Sequence, residues 1–242
     1  MKTLNDNNYW ELYSFIQVIE IILVSTDLFI WSNFMDILIP KLEKYIFDLM
    51  PKQNAVLEEM YKYGTDRDFP LIGPLCGQFL RQMALVSHAK RIFEMGSGFG
   101  YSAVWFALGI ADDGKIICTD GDTKNRERAI SYFKRLGIDH KIEFHVGMAQ
   151  DILKQYDGPF DIIFNDVDKE QYPETLEIAI PRLRTGGLLI TDNTLWYGKV
   201  VDEGGDIYTV GVKEFNKLSF VRKDIVTMIV PLRDGLSVSV KL

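Results

Sequence analysis

Apolar and polar residues alternate with two different periods along most of the chain after residue 90. Short apolar runs are separated by longer stretches in which apolar residues recur every three or four positions. The predicted strands are residues 91–95, 115–119, 141–145, 160–165 and 187–191. The predicted helices between them are residues 101–108, 122–136, 149–156 and 170–183. This alternation predicts an α/β fold with a parallel sheet covered by helices on both faces.

The pattern changes near the C-terminus. After a predicted helix at residues 212–218, two apolar runs at residues 224–231 and 236–241 flank Arg233-Asp234-Gly235. Asp-Gly is a frequent turn between hairpin strands, so we expect a hairpin here. The sheet is therefore predicted to be mostly parallel, with an antiparallel closing strand.

Three further helices are predicted ahead of the first strand. The first covers residues 37–49, where apolar positions follow helical spacing. Pro51 suits the first turn of a second helix, which runs to about Tyr63 and which Gly64 ends, and Pro74 opens the third.

Residues 1–34 are predicted to form a helical N-terminal extension to a single domain of residues 35–242. Residues 15–30 are apolar, but this stretch is shorter than a membrane span and includes Glu20 and Asp27. We therefore expect a helix that docks onto the domain or forms a homodimer contact, and no association with a membrane. The alternative is that the protein starts at the methionine that opens the domain.

Composition narrows the classes of function. The chain has 27 Lys and Arg against 34 Asp and Glu, which gives a net charge of −7 and disfavours non-specific binding of nucleic acid. Two cysteines in 242 residues form no disulfide framework, which is typical of a reducing compartment. No positively charged stretch precedes the apolar segment, so a secretory signal is not expected. These features predict a cytoplasmic protein.

A glycine-rich loop, Glu94-Met95-Gly96-Ser97-Gly98-Phe99-Gly100, lies where the first strand turns into the next helix. Glycines at this point of an open α/β sheet let the backbone approach a ligand closely. The spacing is G-x-G-x-G, whereas a dinucleotide-binding loop has G-x-G-x-x-G. The Glu94 carboxylate would repel a pyrophosphate and suits a positively charged ligand such as S-adenosylmethionine. A tight turn without a ligand is the alternative.

Asp120 ends the second predicted strand, about twenty residues after this loop, where a carboxylate accepts hydrogen bonds from ribose hydroxyls in such folds. Asp122 is better placed as the N-cap of the following helix. The small residues Gly147 and Ala149 follow the third strand and leave room for an adenine ring.

Oxygen-bearing side chains follow the fourth and fifth strands at one edge of the sheet. We expect Asp166, Asp192 and Asn193 to converge as three oxygen ligands, which suits a hard cation such as Mg²⁺, Ca²⁺ or Mn²⁺. Lys169 reaches the same pocket and is a candidate acceptor for the proton of an attacking hydroxyl. The alternative is that these residues are ordinary turn and cap residues, Asp168 included.

From about Leu42 onward the chain resembles the cation-dependent O-methyltransferases, the group that contains catechol O-methyltransferase and caffeoyl-CoA O-methyltransferase. The stretches that carry the resemblance are GQFLRQM, EMGSGFGYSA, the strand ending in Asp120, FDIIFNDVDKEQY, GGLLITDNTLWYGKVV and the closing P-x-x-D-G hairpin. The resemblance implies a Rossmann-like class I methyltransferase fold with seven strands in the order 3-2-1-4-5-7-6.

The resemblance also implies roles for individual residues. Asp166, Asp192 and Asn193 take the metal positions, and Asp166 and Lys169 take catalytic ones, Lys169 as the base. The implied contacts of S-adenosylmethionine are Ile72, Glu94, Gly96, Ser97, Gly98, Ser102, Asp120, Ala149 and Asp168. The candidate substrate contacts are Trp196 and Tyr197. At the second of these positions the plant caffeoyl-CoA enzymes have an asparagine, which argues against a CoA thioester substrate.

The sequence thus predicts methyl transfer from S-adenosylmethionine to one hydroxyl of a catechol-like small molecule. A divalent cation chelates both oxygens of the acceptor while Lys169 takes the proton. An alternative acceptor is a hydroxylated wobble uridine of tRNA, which some related members methylate. More distant alternatives are a cofactor-binding protein without catalysis and a nicotinamide-dependent oxidoreductase. The G-x-G-x-G spacing disfavours the oxidoreductase.

Overall fold

The structure is a computed structural model that describes residues 37–242. The predicted helix within residues 1–34 lies outside the described residues. Among the helices of residues 37–242, none is both long enough and apolar enough to cross a membrane.

Helices and strands alternate as predicted in the described part of the chain. The helices are α1 (Pro40–Asp48), α2 (Ala55–Thr65), α3 (Gly73–Val86), α4 (Tyr101–Ala107), α5 (Thr123–Leu136), α6 (Ala149–Leu153), α7 (Tyr172–Ala179) and α8 (Ile207–Val221). The strands are β1 (Arg91–Met95), β2 (Lys115–Asp120), β3 (Ile142–Val146), β4 (Phe160–Asn165), β5 (Leu183–Thr191), β6 (Ile225–Val230) and β7 (Leu236–Lys241). Short 3-10 helices cover Asp139–Lys141, Lys169–Gln171, Ile180–Arg182 and Trp196–Val201.

The seven strands form one sheet in the order β3-β2-β1-β4-β5-β7-β6. Neighbours from β3 to β5 pair in parallel, whereas β7 is antiparallel to both β5 and β6. The predicted order and the predicted closing hairpin are therefore confirmed. Because β1 and β4 are adjacent at the centre, their carboxyl ends form the crevice where ligands bind in open α/β sheets.

Successive side chains of each strand enter two different hydrophobic clusters. On β1, Ile92 belongs to the cluster under α3, α4 and α5, and Phe93 belongs to the cluster under α6, α7 and α8. The same alternation separates Ile116 from Ile117 on β2. Alternation with a period of two is expected of a strand, and apolar residues at both phases require helices on both faces.

The second helix differs from the prediction. Pro51 lies in an extended segment, and α2 begins only after Asn54, whose side chain accepts a hydrogen bond from the Val56 N–H at 2.8 Å. An N-cap side chain of this kind satisfies a backbone N–H of the first turn that has no partner within the helix. Gly64 does not end the helix, which continues to Thr65; a β-carbon at position 64 would collide with Leu71, which explains the glycine there. The proline and glycine signals were therefore wrong here.

The boundaries of three other helices also differ from the prediction. The predicted helix at residues 149–156 ends at Leu153, and the predicted helix at residues 170–183 is a regular helix only between Tyr172 and Ala179. The last helix is longer than predicted and starts after Asp206, whose carboxylate accepts a hydrogen bond from the Thr209 N–H at 2.8 Å. The Asp206 cap explains where this helix begins, and hydrophobic periodicity alone does not show such a cap.

We expect Gly77→Ala to destabilise the domain by about 1–3 kcal/mol, because overpacking a tight contact costs this much. Gly77 of α3 lies against the indole of Trp105 on α4, and an added β-carbon would overlap the ring. Gly121→Ala is the matched control, since a β-carbon there meets no atom within 4 Å. Urea unfolding measures both variants, and equal midpoints would contradict this packing account.

Candidate active site

A cavity of about 660 Å³ opens at the carboxyl ends of the central strands. Of the sequence-predicted site residues, those that line it are Ile72, Gly96, Ser97, Gly98, Ser102, Asp120, Ala149, Asp166, Asp168, Lys169, Asp192, Asn193, Trp196 and Tyr197. Glu94 is the exception and lies beneath the cavity wall. Residues that are far apart in sequence therefore meet in one pocket, as expected for strand ends at one edge of a parallel sheet.

The glycine-rich loop between β1 and α4 forms one wall of the cavity. Gly96 has a left-handed backbone with φ of 85°, and a β-carbon there would overlap the backbone carbonyl oxygen of Asp166. The Ser97 N–H donates to the Thr119 carbonyl at 2.7 Å, which ties the loop to β2. The loop therefore passes so close to the end of β4 that only glycine fits at position 96.

Asp120 supports this loop as well as lining the cavity. Its Oδ2 accepts a hydrogen bond from the Gly98 N–H at 3.0 Å, and its Oδ1 accepts from the Asp122 N–H at 2.8 Å and from Asn125 at 3.0 Å. Asp122 caps α5 by accepting from the Lys124 N–H, as predicted. Asp120 thus holds the glycine loop in place, and its predicted ribose contact remains a prediction.

Glu94 is completely buried, and on β1 it shares a side of the sheet with Ile92, which packs under α3, α4 and α5. Burial raises the pKa of Glu94 to about 7, against the opposing effect of hydrogen bonds from Ser102, Ser97 and Cys118. The Cys118 thiol donates to its Oε2 at 3.3 Å. Ser97 and Ser102 line the cavity, whereas Glu94 does not, so its predicted contact with the cofactor remains a prediction.

Lys169 and Asp166 form an ion pair on the floor of the cavity. The Lys169 Nζ lies 3.0 Å from the Asp166 Oδ1, and the two side chains are 13% and 19% exposed. Burial alone would lower the pKa of Lys169, but the Asp166 carboxylate and nearby Tyr172 outweigh it and raise the pKa above its usual range. In the protein as described, Lys169 therefore carries its proton.

A second carboxylate, Asp192, lies beside this pair and is almost completely buried. Its Oδ2 accepts from the Arg233 guanidinium at 3.2 Å, while its Oδ1 is buried without a hydrogen-bond partner among the described residues. Burial raises the pKa of Asp166 to about 6, with Lys169 opposing the shift and Asp192 adding to it. Two carboxylates that repel each other in a buried pocket favour a bound cation.

The oxygen-bearing side chains in this part of the cavity fit the predicted cation. Within residues 37–242, no group of three or more His, Cys, Asp or Glu side chains is arranged to hold a metal ion. The candidate set consists instead of two carboxylates, Asp166 and Asp192, and the amide of Asn193. The unpartnered Oδ1 of Asp192 and the all-oxygen chemistry both fit a hard cation.

An aromatic wall closes the cavity on the side of β5. Trp196 and Tyr197 have left-handed backbones with φ of 47° and 54°. The Trp196 indole N–H donates to the Thr209 hydroxyl at 3.2 Å, and the Lys169 Nζ lies 5.9 Å from the centre of the indole ring. The predicted substrate residues therefore lie next to the predicted base.

Several cavity residues were missed by the sequence reasoning. They are Phe69, Gln150, Gln171, Tyr208 and Arg233. Gln150 is buried, its Nε2 donates to the Gln171 Oε1, and its own Oε1 has no partner among the described side chains. Its position was the available signal for Gln150, because it directly follows Ala149 at the start of α6. No comparable signal marked Arg233, which lies in a turn.

Comparisons of this sequence with known proteins all indicate the same family. A family model described as O-methyltransferase matches residues 51–242. Catechol O-methyltransferase of Niastella koreensis is 33% identical over 183 residues, which cover 73% of this chain and 83% of that protein. Caffeoyl-CoA O-methyltransferase of Medicago sativa is 30% identical over 214 residues, which cover 81% of this chain and 87% of that protein.

Solved structures with a similar fold belong to proteins of the same kind. An O-methyltransferase from Bacillus cereus in complex with SAH has a TM-score of 0.77 at 27% identity and covers 84% of this chain and 97% of that one. The O-methyltransferase TomG from Streptomyces achromogenes in complex with SAM has a TM-score of 0.77 at 28% identity, with 83% and 96% covered. The chain therefore belongs to the class I S-adenosylmethionine-dependent O-methyltransferase family.

Proposed function

We propose that this O-methyltransferase requires a divalent cation and methylates one hydroxyl of a small aromatic molecule that carries two adjacent hydroxyls. The observation that carries the proposal is the unpartnered, buried Oδ1 of Asp192 in a cluster with Asp166 and Asn193. The names of the relatives support the acceptor class, because catechols and the caffeoyl group both have two adjacent hydroxyls.

Asp166, Asp192 and Asn193 would hold the cation, which when bound supplies positive charge that favours ionisation of a neighbouring hydroxyl. The glycine-rich loop and Asp120 would hold the cofactor that supplies the methyl group. In this arrangement the chain mainly positions the reactants and stabilises charge.

Lys169 would accept the proton of the acceptor hydroxyl. The pKa of Lys169 is raised chiefly because the Asp166 carboxylate outweighs the effect of burial. If Asp166 and Asp192 held a cation, the Asp166 carboxylate would stabilise the protonated form of Lys169 less, and the pKa of Lys169 would be lower. A neutral lysine within reach of the hydroxyl is then able to take its proton.

The acceptor class is tested by turnover with a panel of small aromatics in the presence of Mg²⁺. We expect methylation of catechol and caffeate, and no methylation of phenol or of a compound whose two hydroxyls are not adjacent. Caffeoyl-CoA tests whether Tyr197 excludes the thioester. Turnover only on tRNA that contains hydroxyuridine would overturn the proposed acceptor and leave the cofactor site unchanged.

Tyr197→Ala is expected to raise the KM for a catechol about tenfold, because a lost aromatic contact of ~1–1.5 kcal/mol corresponds to that factor. Tyr197 lines the cavity and packs against Trp196 with ring centres 5.6 Å apart. The affinity for S-adenosylhomocysteine should not change. Phe220→Ala removes an exposed aromatic outside the cavity and is the control. Unchanged KM in both variants would contradict a substrate contact at Tyr197.

A further inference from the structure

The turn between β6 and β7 is joined to the loop that follows β5. The Thr194 N–H donates to the Gly235 carbonyl at 3.0 Å, and the Leu195 N–H donates to the Asp234 carbonyl at 2.9 Å. Gly235 has φ of 81°, and a β-carbon there would press against the Leu195 side chain. The turn therefore lies directly against the loop that begins with the candidate cation ligands.

The Asp234 side chain makes two further hydrogen bonds to this loop. It is 3% exposed, its Oδ1 accepts from the Tyr197 backbone N–H, and its Oδ2 accepts from the Asn193 Nδ2 at 3.1 Å. Asn193 and Tyr197 both have left-handed backbones, with φ of 55° and 54°. Such conformations are uncommon outside glycine and persist only where the surroundings hold them.

These contacts determine which end of the Asn193 amide turns away from Asp234. An ionised carboxylate can only accept hydrogen bonds, so Asn193 must present its NH₂ group to Asp234. The carbonyl oxygen is the other end of the same planar amide, and Asn193 lines the cavity. A cation binds the oxygen of an amide and is repelled by its N–H groups.

We propose that Asp234 is a positioning residue for methyl transfer. It fixes the Asn193 amide with its oxygen toward the cation and holds the backbone that carries Tyr197. The inference rests on the proposed function, since it concerns the orientation of one proposed ligand. Asp234, which is not itself a proposed cation ligand, thus connects Asn193 of the cation site with Tyr197 of the proposed acceptor site.

Asp234→Asn tests the amide orientation with the smallest change in shape. The backbone N–H of Tyr197 still needs an acceptor, so the oxygen of the introduced amide stays there and its NH₂ faces Asn193. The Asn193 amide must then reverse and present N–H groups to the cation. We expect the affinity for Mn²⁺, measured by electron paramagnetic resonance, to fall about 10–100-fold, as it does when a partner of a metal ligand is lost. Binding of S-adenosylhomocysteine should stay unchanged.

Exchanging the two side chains provides the matched rescue. In Asn193→Asp/Asp234→Asn, the carboxylate at position 193 accepts from the amide at position 234 and has a second oxygen for the cation. We expect Mn²⁺ affinity within about threefold of the unmutated protein, because the polarity of the pair is restored. A purely structural role for Asp234 predicts no such recovery.

The outcomes separate this inference from the function on which it rests. If the unmutated protein binds Mn²⁺, Asp166→Ala does not, and Asp234→Asn binds normally, the inference is overturned and the cation site stands. If Asp234→Asn weakens binding and the exchange does not restore it, the orientation account is also overturned. If the unmutated protein binds no Mn²⁺, both the cation and the role of Asp234 are wrong.

A measurement without mutation decides the matter if the variants do not fold. In protein labelled with ¹³C and ¹⁵N at asparagine, Mg²⁺ should shift the Asn193 Cγ signal while its NH₂ protons stay protected from exchange. Loss of that protection on addition of Mg²⁺, or no change at Cγ, would overturn the proposed orientation.

Discussion

Asp166→Ala should lower kcat by about 10³-fold or more, because losing several kcal/mol of charge stabilisation has that effect on a rate. Asp166 is one of the two carboxylates of the candidate cation site, and its Oδ1 lies 3.0 Å from the Lys169 Nζ. Without it, both the proposed cation ligand and the group that raises the pKa of the lysine are lost. Steady-state kinetics with a catechol acceptor and Mg²⁺ measure the effect.

The control for this variant is Asp112→Ala, which removes an exposed carboxylate outside the cavity and should leave kcat unchanged. Affinity for S-adenosylhomocysteine should be similar in both variants, since the glycine loop does not depend on the Asp166 side chain. A variant that loses Mn²⁺ binding but keeps normal turnover would contradict the proposed need for a cation.

Lys169→Met should lower kcat by about 10²–10⁴-fold, the range typical of removing a general base. The Lys169 side chain is 13% exposed and donates to the Asp166 carboxylate and the Val167 carbonyl, which hold it in the cavity. Mn²⁺ binding should be retained or tightened, because Asp166 loses a competing positive partner. Lys169→Arg keeps the charge but cannot give up a proton, so it should be equally inactive.

The pH profile distinguishes a base from a residue that only positions others. A lysine base works only when deprotonated, so kcat of the unmutated enzyme with Mg²⁺ should rise with pH through the lowered pKa proposed for Lys169 in the cation-loaded site and then level off. In Lys169→Met this rise should be absent. Full kcat in Lys169→Met, or the same pH-dependent rise, would show that another group takes the proton.

Much of the fold could be predicted because strand and helix periods differ clearly in this chain. Ile92 and Phe93, which enter opposite hydrophobic clusters, show the two-sided burial that the apolar runs indicated. Prolines and glycines were less informative. Position 64 of α2 is a glycine because Leu71 approaches it, and a local sequence pattern does not show such a contact.

The candidate site could be located because parallel strands bring their carboxyl ends together, which placed Asp166 and Asp192 side by side. Glu94 is different because it shares a side of β1 with Ile92 and is therefore buried under the helices and away from the cavity. The residue pattern predicts only a turn at Asp234, since Asp-Gly is a common hairpin signal. Its second role depends on tertiary contacts with Asn193 that sequence spacing does not show.

The most direct test of the central claim is methyl transfer to catechol in one sample with Mg²⁺, then with excess EDTA, and then with Mg²⁺ restored. S-adenosylhomocysteine binding is followed by calorimetry in each state. We expect turnover to stop with EDTA and to return with Mg²⁺, while cofactor binding persists throughout. Undiminished turnover in EDTA would contradict a cation held by Asp166, Asp192 and Asn193.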